Sequence, residues 1–119
     1  MDSAQVVRRF EHEFKNNANH GTVVELMSKD FVYHLPCQGL PPGRAGMQAV
    51  GELVTGAIRG IHVEIPLILA RGDLVADRIK AAGVRAGTGA PLTWAENHIY
   101  RVTGGQITEL WPAGGPQLG

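Results

Sequence analysis

The sequence predicts an α+β fold in which N-terminal helices pack on one face of a strongly curved, mainly antiparallel sheet. Two observations lead to this prediction. Apolar residues recur at spacings of three and four through the first half of the chain, as in amphipathic helices. From Ile61 onward the spacing changes to two, which is typical of strands. Helices followed by an antiparallel meander favour a layer of helices over a sheet.

The first predicted helix has one apolar and one polar face. Its apolar positions are Val6, Val7, Phe10, Phe14 and Ala18. The polar positions between them are Arg8, Arg9, Glu11 and Lys15. Asp2 and Gln5 resemble a capping box at its start, as do Thr22 and Glu25 before a second, shorter helix, VVELM.

Strands are predicted from the alternating segments. DFVYHL is a short strand, and the proline-rich segment PCQGLPPG after it predicts a loop, a candidate lid for a pocket. A third helix is predicted from Arg44 to about Ile58. IHVEIPLILAR, LVADRIKAAGVRA, LTWAENHIYRV and QITELWP then predict four strands joined by glycine-containing turns. Residues 1–119 are expected to form a single domain, with residues 112–119 as a loose tail.

Composition narrows the classes of partner. The 119 residues carry eleven basic and eleven acidic side chains, so the formal net charge is zero. No overall field would draw the protein to nucleic acid or to an anionic membrane. The single cysteine cannot form an internal disulfide, and no apolar run reaches the roughly 20 residues that cross a bilayer. We therefore expect a cytoplasmic protein without nucleic-acid or membrane partners.

The segment TWAENHIYRV places two aromatic and two ionisable side chains on one face of a strand, namely Trp94, Glu96, His98 and Tyr100. Such a row suits the wall of a small-molecule pocket, although an open, solvated sheet face would accommodate it as well. The Cα atoms of Glu96 and His98 lie about 6.6 Å apart along a strand, within reach of one small substrate. Enclosure would raise the pKa of Glu96 and lower that of His98, which suits general acid–base catalysis near neutral pH.

Other polar residues allow both a structural and a functional interpretation. His34 follows the short strand, and a lone strand histidine is more often structural than catalytic. Glu109 and Trp111 are expected to share a face with Ile107, where Glu109 either needs a buried partner or forms a salt bridge outside. Asp77 lies in an alternating strand and faces either inward or outward. Polar neighbours predict solvated side chains for His12, His20 and His62.

Four segments stand in order along nearly the whole chain: DFVYH after two helices, then GRAGMQAV, ARGDLVADR and WAENHIYRVTGGQITELW. This ordered set resembles the SnoaL-like polyketide cyclase family, within the superfamily related to nuclear transport factor 2 and ketosteroid isomerase. The resemblance implies a cone-shaped α+β barrel around a pocket, and a homodimer. It also implies that Glu96 and His98 point into the cavity, with His34 and Tyr33 near its mouth or wall.

The resemblance further implies an enzyme: a cyclase or isomerase without cofactor or metal that acts by general acid–base catalysis on a polyketide-type small molecule. In the cyclases an aspartate follows the final tryptophan and acts as acid or base, whereas Trp111 is followed here by PAGGPQLG. Glu96 and His98 would then carry the proton transfer, helped by His34 or Asp77. The pocket walls are expected to include Tyr33, Asp77, Trp94, Tyr100 and Trp111.

Two other functions stay open. Relatives in the superfamily open epoxides, with a carboxylate and its partner activating water or an internal hydroxyl while an acid protonates the epoxide oxygen. Glu96 and His98 could divide those roles, but an arginine-dependent mechanism fits poorly because Arg101 has the opposite strand parity to Glu96. Because the aspartate of the cyclases is missing, a non-catalytic small-molecule binding or dimerisation module is the third interpretation.

Overall fold

Helices occupy most of the first half of the chain and strands the second half in the computed structural model, which describes residues 2–34 and 39–118. The elements in chain order are α1 (Ser3–Glu11), a π-helical turn (His12–Asn16), α2 (Thr22–Leu26), β1 (Met27–Tyr33), α3 (Gly43–Ala57), β2 (Ile58–Arg71), β3 (Leu74–Arg85), β4 (Pro91–Thr103) and β5 (Gln106–Gly114). The α+β prediction is confirmed. Residues 36–38 of the proposed lid loop lie outside the described residues, so that role stays a prediction.

Helix α1 begins with the capping box that the sequence predicts. The backbone N–H of Gln5 donates to Asp2 Oδ1 at 2.8 Å, and the backbone N–H of Asp2 donates to Gln5 Oε1 at 2.8 Å. The second predicted box is wrong. Gly21 caps α2 without a side-chain bond, because Thr22 is already helical and its side chain is buried.

The five strands form one sheet in the order β1-β5-β4-β3-β2. All neighbouring pairs are antiparallel except β1 and β5, which run parallel. Strand β2 has two register shifts against β3, between Arg59 and His62 and between Glu64 and Leu67. Such irregularities bend a strand and increase its twist, so the sheet curls without closing, with β1 and β2 as its edges.

The main hydrophobic core lies between the helices and the face of the sheet that they cover, which we call the inner face. Helix α1 supplies Val6, Val7 and Phe10, all fully buried, and the sheet supplies Tyr100 and Ile107. Among the described residues, four polar or charged side chains are buried as well: Glu11, Thr22, Asp77 and His98. No helix among the described residues is long and apolar enough to cross a bilayer.

Strand β5 contains a bulge that the sequence pattern does not reveal. Arg101 pairs with Glu109 and Val102 pairs with Ile107, so Thr108 is an extra residue without an opposite partner. A bulge changes which face the following side chains take. Ile107 is consequently inside while Glu109 and Trp111 are outside, and the prediction that all three share a face is wrong.

The chain after Trp111 is more ordered than the predicted loose tail. Pro112 pairs with His98 and Gly114 with Glu96, so residues 112–114 continue β5 beside the row on β4. Gly114 has φ +83, and a Cβ there would come within 2.7 Å of the Ala95 carbonyl oxygen. The prediction of a loose tail is therefore wrong for residues 112–114, where close strand pairing needs a glycine.

Replacing Gly46 by alanine is expected to lower the free energy of unfolding by about 1–3 kcal/mol, because a Cβ on this buried residue of α3 would overlap the carbonyl oxygen of Pro41. Gly56 in the same helix has open space around its Cβ position, so Gly56→Ala is the matched control. It should leave stability unchanged or raise it by up to about 1 kcal/mol. Urea unfolding of both variants measures the difference, and equal effects would contradict the packing assigned to Gly46.

Candidate active site

A cavity of about 350 Å³ lies between the helices and the inner face of the sheet. This volume falls in the range of small-molecule sites. Most of the lining is apolar and comes from α1, its π-helical turn, α3 and the strands, including Phe10, Phe14, Tyr33, Leu40, Met47, Val50, Leu53, Val54, Ile61 and Leu110. Pro112, Gly115, Pro116 and Leu118 border it as well, so the C-terminal residues contribute to its wall.

One wall of the cavity is polar and is built around β4. Trp94, Glu96, His98 and Tyr100 all line the cavity, as the two-residue period predicts. Strand β4 pairs with β3 on one side and β5 on the other. Its backbone is therefore held on both edges, which fixes the direction of these four side chains.

His98 lies between two carboxylates. Its Nδ1 contacts Asp77 Oδ1 at 2.7 Å and its Nε2 contacts Glu96 Oε1 at 2.9 Å. Burial lowers the pKa of His98, but the hydrogen bonds to Asp77 and Glu96 outweigh it and raise the pKa to about 9. His98 is therefore an imidazolium at neutral pH, with both N–H groups donated to carboxylates.

Glu96 accepts hydrogen bonds from three groups. Oε1 accepts from Lys15 Nζ at 2.9 Å and from His98, and Oε2 accepts from Trp94 Nε1 at 2.6 Å. Burial raises the pKa of Glu96, but the Lys15 charge and the His98 bond outweigh burial and hold it well below its usual range. From the sequence, the pKa of Glu96 is expected to rise and that of His98 to fall. Both directions are wrong, because that expectation rests on desolvation alone and these partners are not visible in the sequence.

Lys15 and Glu11 belong to the site although the sequence analysis assigns them to the polar face of the first helix. Lys15 Nζ lies 3.0 Å from Glu11 Oε2 and 2.9 Å from Glu96 Oε1, and both side chains line the cavity. A signal was present in the sequence. Glu11 falls on the stripe of Val7, Phe10 and Phe14 at helical spacing, so it belongs to the buried face. The π-helical turn then carries Lys15 onto the same side.

The remaining buried carboxylates close the cluster. The Tyr100 hydroxyl donates to Glu11 Oε1. Asp77 faces His98 across the β3–β4 pair, and its Oδ2 is buried without a hydrogen-bond partner in the part of the chain that the structure describes. Burial raises the pKa of Asp77, and so does the nearby charge of Glu11, although the bond to His98 opposes them. Asp77 thus lies behind His98 and does not line the cavity, so its prediction as a pocket residue is wrong.

Two of the predicted site residues lie on the outer face of the sheet. The His34 ring stacks on Trp111 with centroids 4.8 Å apart, and His34 Nε2 contacts Glu109 Oε2 at 2.8 Å. Arg101 contacts the same Glu109 and lies over the Trp111 ring. The assignments of His34 as catalytic and of Trp111 as a pocket residue are wrong. His34 has the outward parity of β1, and the bulge at Thr108 turns Trp111 outward.

Among the other candidates, Tyr33 lines the cavity as predicted, while His12 and His62 are exposed. The prediction of a solvated side chain is wrong for His20, whose ring packs at a tilt against Phe14 and whose Nε2 is buried. Its ring packs against the apolar wall near Gly51, so the polar neighbours in sequence do not surround it in space.

Glu11, Asp77 and His98 could offer ligand atoms to a metal ion. One such atom from each lies within 4.8 Å of the others. The Lys15 ammonium already pairs with Glu11, and His98 Nδ1 already pairs with Asp77. A cation here would therefore have to displace an existing pair.

Replacing Asp77 by asparagine is expected to lower the pKa of His98 by about 1 to 3 pH units from its value of about 9. The amide oxygen can still accept the hydrogen bond, but the negative charge is lost. NMR titration of the His98 ring protons measures the change. Glu109→Gln is the control, because Glu109 lies on the outer face and should leave the pKa of His98 unaltered. An unchanged pKa in Asp77→Asn would contradict the contact described here.

The fold and the site define a class of protein: an α+β domain whose curled sheet and helices enclose an apolar cavity with one charged wall. A family model described as SnoaL-like domain matches residues 7–110. The chain therefore belongs to the SnoaL-like family, and the resemblance stated from its motifs is confirmed. A comparison with curated protein sequences finds no match.

Solved structures of the same fold bear out the architecture. IdmH, a candidate polyketide cyclase from Streptomyces antibioticus, matches with a TM-score of 0.83 and 27% identity over 96% of this chain and 92% of that chain. A candidate polyketide cyclase from Bacillus cereus ATCC 10987 matches with a TM-score of 0.84 and 22% identity, over 94% of this chain and 73% of that chain. An LEH-like epoxide hydrolase from M. tuberculosis matches with a TM-score of 0.74 and 19% identity, over 95% of this chain and 82% of that chain. The last two likenesses concern the fold alone.

Proposed function

We propose that the protein is a cofactor-independent cyclase or isomerase that acts by general acid–base catalysis on a polyketide-type small molecule. The observation that carries this proposal is the charged wall of an otherwise apolar cavity, where the Lys15 and His98 cations each lie within hydrogen-bond distance of the Glu96 carboxylate. An apolar enclosure strengthens electrostatic interactions with charge that develops in a reaction. The likeness to the candidate polyketide cyclase IdmH, at 27% identity, supports the substrate class.

Glu96 is the proposed base, acting through Oε2. Oε1 already accepts two hydrogen bonds, from Lys15 and His98, whereas Oε2 accepts one, from Trp94. Oε2 takes a proton from the carbon between two carbonyls, and the electron pair of the broken C–H bond forms an enolate. The enolate carbon attacks a second carbonyl carbon of the same molecule, and the resulting alkoxide takes the proton from Glu96. The product is an isomer of the substrate, and no co-reactant is consumed.

The partners of Glu96 restrict the substrate. A carboxylate with a depressed pKa is a weak base, and a weak base removes protons efficiently only from acidic carbons. A methylene group between two carbonyls meets this condition, whereas one beside a single carbonyl does not. The positive charge of the His98 imidazolium beside Glu96 stabilises the negative charge of the enolate.

Proton exchange tests the proposal without knowledge of the natural substrate. A linear β-triketone with a phenyl end group is incubated with the protein in deuterated water, and NMR follows loss of the α-protons and ring closure. We expect Glu96→Gln to slow the protein-dependent rate by about 100-fold. Glu52→Gln on the exposed side of α3 is the control and should leave the rate unchanged. Equal rates in the parent protein and Glu96→Gln would refute Glu96 as the base.

A second candidate function, epoxide opening, is favoured by the arrangement of Asp77, His98 and Glu96. The imidazolium bridges two carboxylates, one of which has a raised pKa through burial. Such a set would take a proton from water at Glu96 while His98 protonates the epoxide oxygen, and the proton held by Glu96 then restores the His98 imidazolium, which Asp77 stabilises. Incubation of an apolar epoxide in ¹⁸O-labelled water separates the outcomes, because hydrolysis incorporates the label and internal ring closure does not.

A third interpretation is a binding or dimerisation module without activity, which predicts that a ligand binds the cavity and leaves it unchanged. The homodimer itself stays a prediction of the resemblance. Sedimentation equilibrium at several protein concentrations tests it, since a monomer at all concentrations would contradict it.

A further inference from the structure

We propose that Lys15 is the substrate-binding group of this site: its ammonium donates a hydrogen bond to a carbonyl oxygen of the ligand and stabilises the oxyanion that forms there. This inference rests on the proposed function and names the group that receives the developing charge. Lys15 is not among the site residues predicted from the sequence.

Most hydrogen-bond donors on the polar wall already have acceptors within the protein. The Trp94 indole N–H donates to Glu96, the Tyr100 hydroxyl donates to Glu11, and both N–H groups of His98 donate to carboxylates. An ammonium has three N–H groups. Lys15 uses two, toward Glu11 and Glu96, and across residues 2–34 and 39–118 the third has no acceptor. Lys15 is thus the donor on this wall with a free N–H.

The Lys15 ammonium is accessible from the cavity. The Lys15 side chain is 15% exposed and lines the cavity, whereas the Glu11 side chain is fully buried. A ligand in the cavity can therefore reach the ammonium without movement of the surrounding residues. The rest of the cavity lining is largely apolar, so a ligand oxygen is the partner that the third N–H lacks.

Lys15 is held in its charged form by two carboxylates. Lys15 sits between two carboxylates that are 85 residues apart in the chain, and both hold its proton in place. Burial lowers the pKa of Lys15, but the charges of Glu11 and Glu96 outweigh it and raise the pKa above its ordinary value. Lys15 therefore acts as a fixed cation and not as a nucleophile or a base. It is also bonded to the carboxylate that removes the substrate proton, so the new negative charge forms beside it.

Binding of 4-nitrophenol tests this inference, because its phenolate mimics an enolate oxygen and has a distinct visible absorption. The parent protein should bind the phenolate in preference to the neutral phenol and thereby lower the apparent pKa of the dye. Lys15→Met should reduce that preference by at least about tenfold. Lys15→Arg, which keeps the charge, should retain most of it. Lys80→Met on the exposed side of β3 is the matched control and should behave as the parent protein.

Two outcomes would overturn the inference. One is a parent protein that does not bind 4-nitrophenolate, and the other is equal preference for phenolate in the parent protein and in Lys15→Met. If Lys15→Met does not fold, Lys15→Gln replaces it, and loss of preference in Lys15→Gln with retention in Lys15→Arg supports the inference. The proposed function fails separately: Lys15-dependent phenolate binding without proton exchange on the triketone would refute the cyclase and leave Lys15 as an anion-binding group.

Discussion

Replacing Lys15 by methionine is expected to lower the free energy of unfolding by about 3–5 kcal/mol, the largest effect of any single side chain in the site. The ammonium is the common partner of Glu11 and Glu96. Methionine has a similar length but no charge, so it would leave the buried Glu11 without its bonded cation and Glu96 with His98 alone. Removal of one partner from a buried ion pair is costly because the other charge stays in a medium that solvates it poorly.

Urea unfolding at neutral pH measures this loss, with Lys80→Met as the control for removal of a lysine from an exposed position. The double variant Lys15→Met, Glu11→Gln offers a second check. It should recover part of the loss, because the buried Glu11 charge that lost its bonded cation is then gone. A loss below about 1 kcal/mol in Lys15→Met would be typical of a solvated surface pair and would contradict the buried position of Lys15.

The second large effect is a loss of stability at alkaline pH. The pKa of His98 in the folded protein is about 9, against an ordinary value of 6.5, so folding favours the protonated imidazole. The stabilisation from this difference is complete below pH 6.5 and disappears as the pH rises through 9. It corresponds to about 3 kcal/mol, which the free energy of unfolding should lose between these two values.

His98→Gln should remove most of this dependence, although the variant is less stable than the parent protein at pH 6.5. His62→Gln is the control, since His62 is exposed on β2 and should leave the slope unchanged. Glu96 does not interfere, because its depressed pKa affects stability only as the pH falls below the ordinary value of 4.5. A parent protein with constant stability from pH 6.5 to 9 would contradict the raised pKa of His98 in the folded state.

The sequence predicts the parts of the site that depend on local periodicity. The two-residue period of β4 is sufficient to place Trp94, Glu96, His98 and Tyr100 on one face, and helices before the meander are sufficient for the α+β class. The electrostatics could not be predicted in this way. Glu96 and Lys15 lie 81 residues apart, and their contact depends on how the π-helical turn packs against β4. The directions of the pKa shifts reverse once that contact is present.

The outer-face residues illustrate a second limit. His34 and Trp111 are reasonable candidates from residue type and from the resemblance, yet they form a stacked pair outside the cavity. Strand parity would have assigned Trp111 correctly only if the bulge at Thr108 were known. A single unpaired residue has no signature in composition or in the alternation of nine residues, so this position requires the structure.

The same bulge also sets the volume available to a ligand. Thr108 shifts the phase of the rest of β5, so that a proline and two glycines follow the strand along the cavity while the indole of Trp111 stays outside. If Thr108 instead paired with Arg101 in a regular ladder, Trp111 would pair with His98 and its indole would point into the cavity. The size of molecule that the protein can admit therefore depends on one unpaired residue in β5, independently of the residues that carry the chemistry.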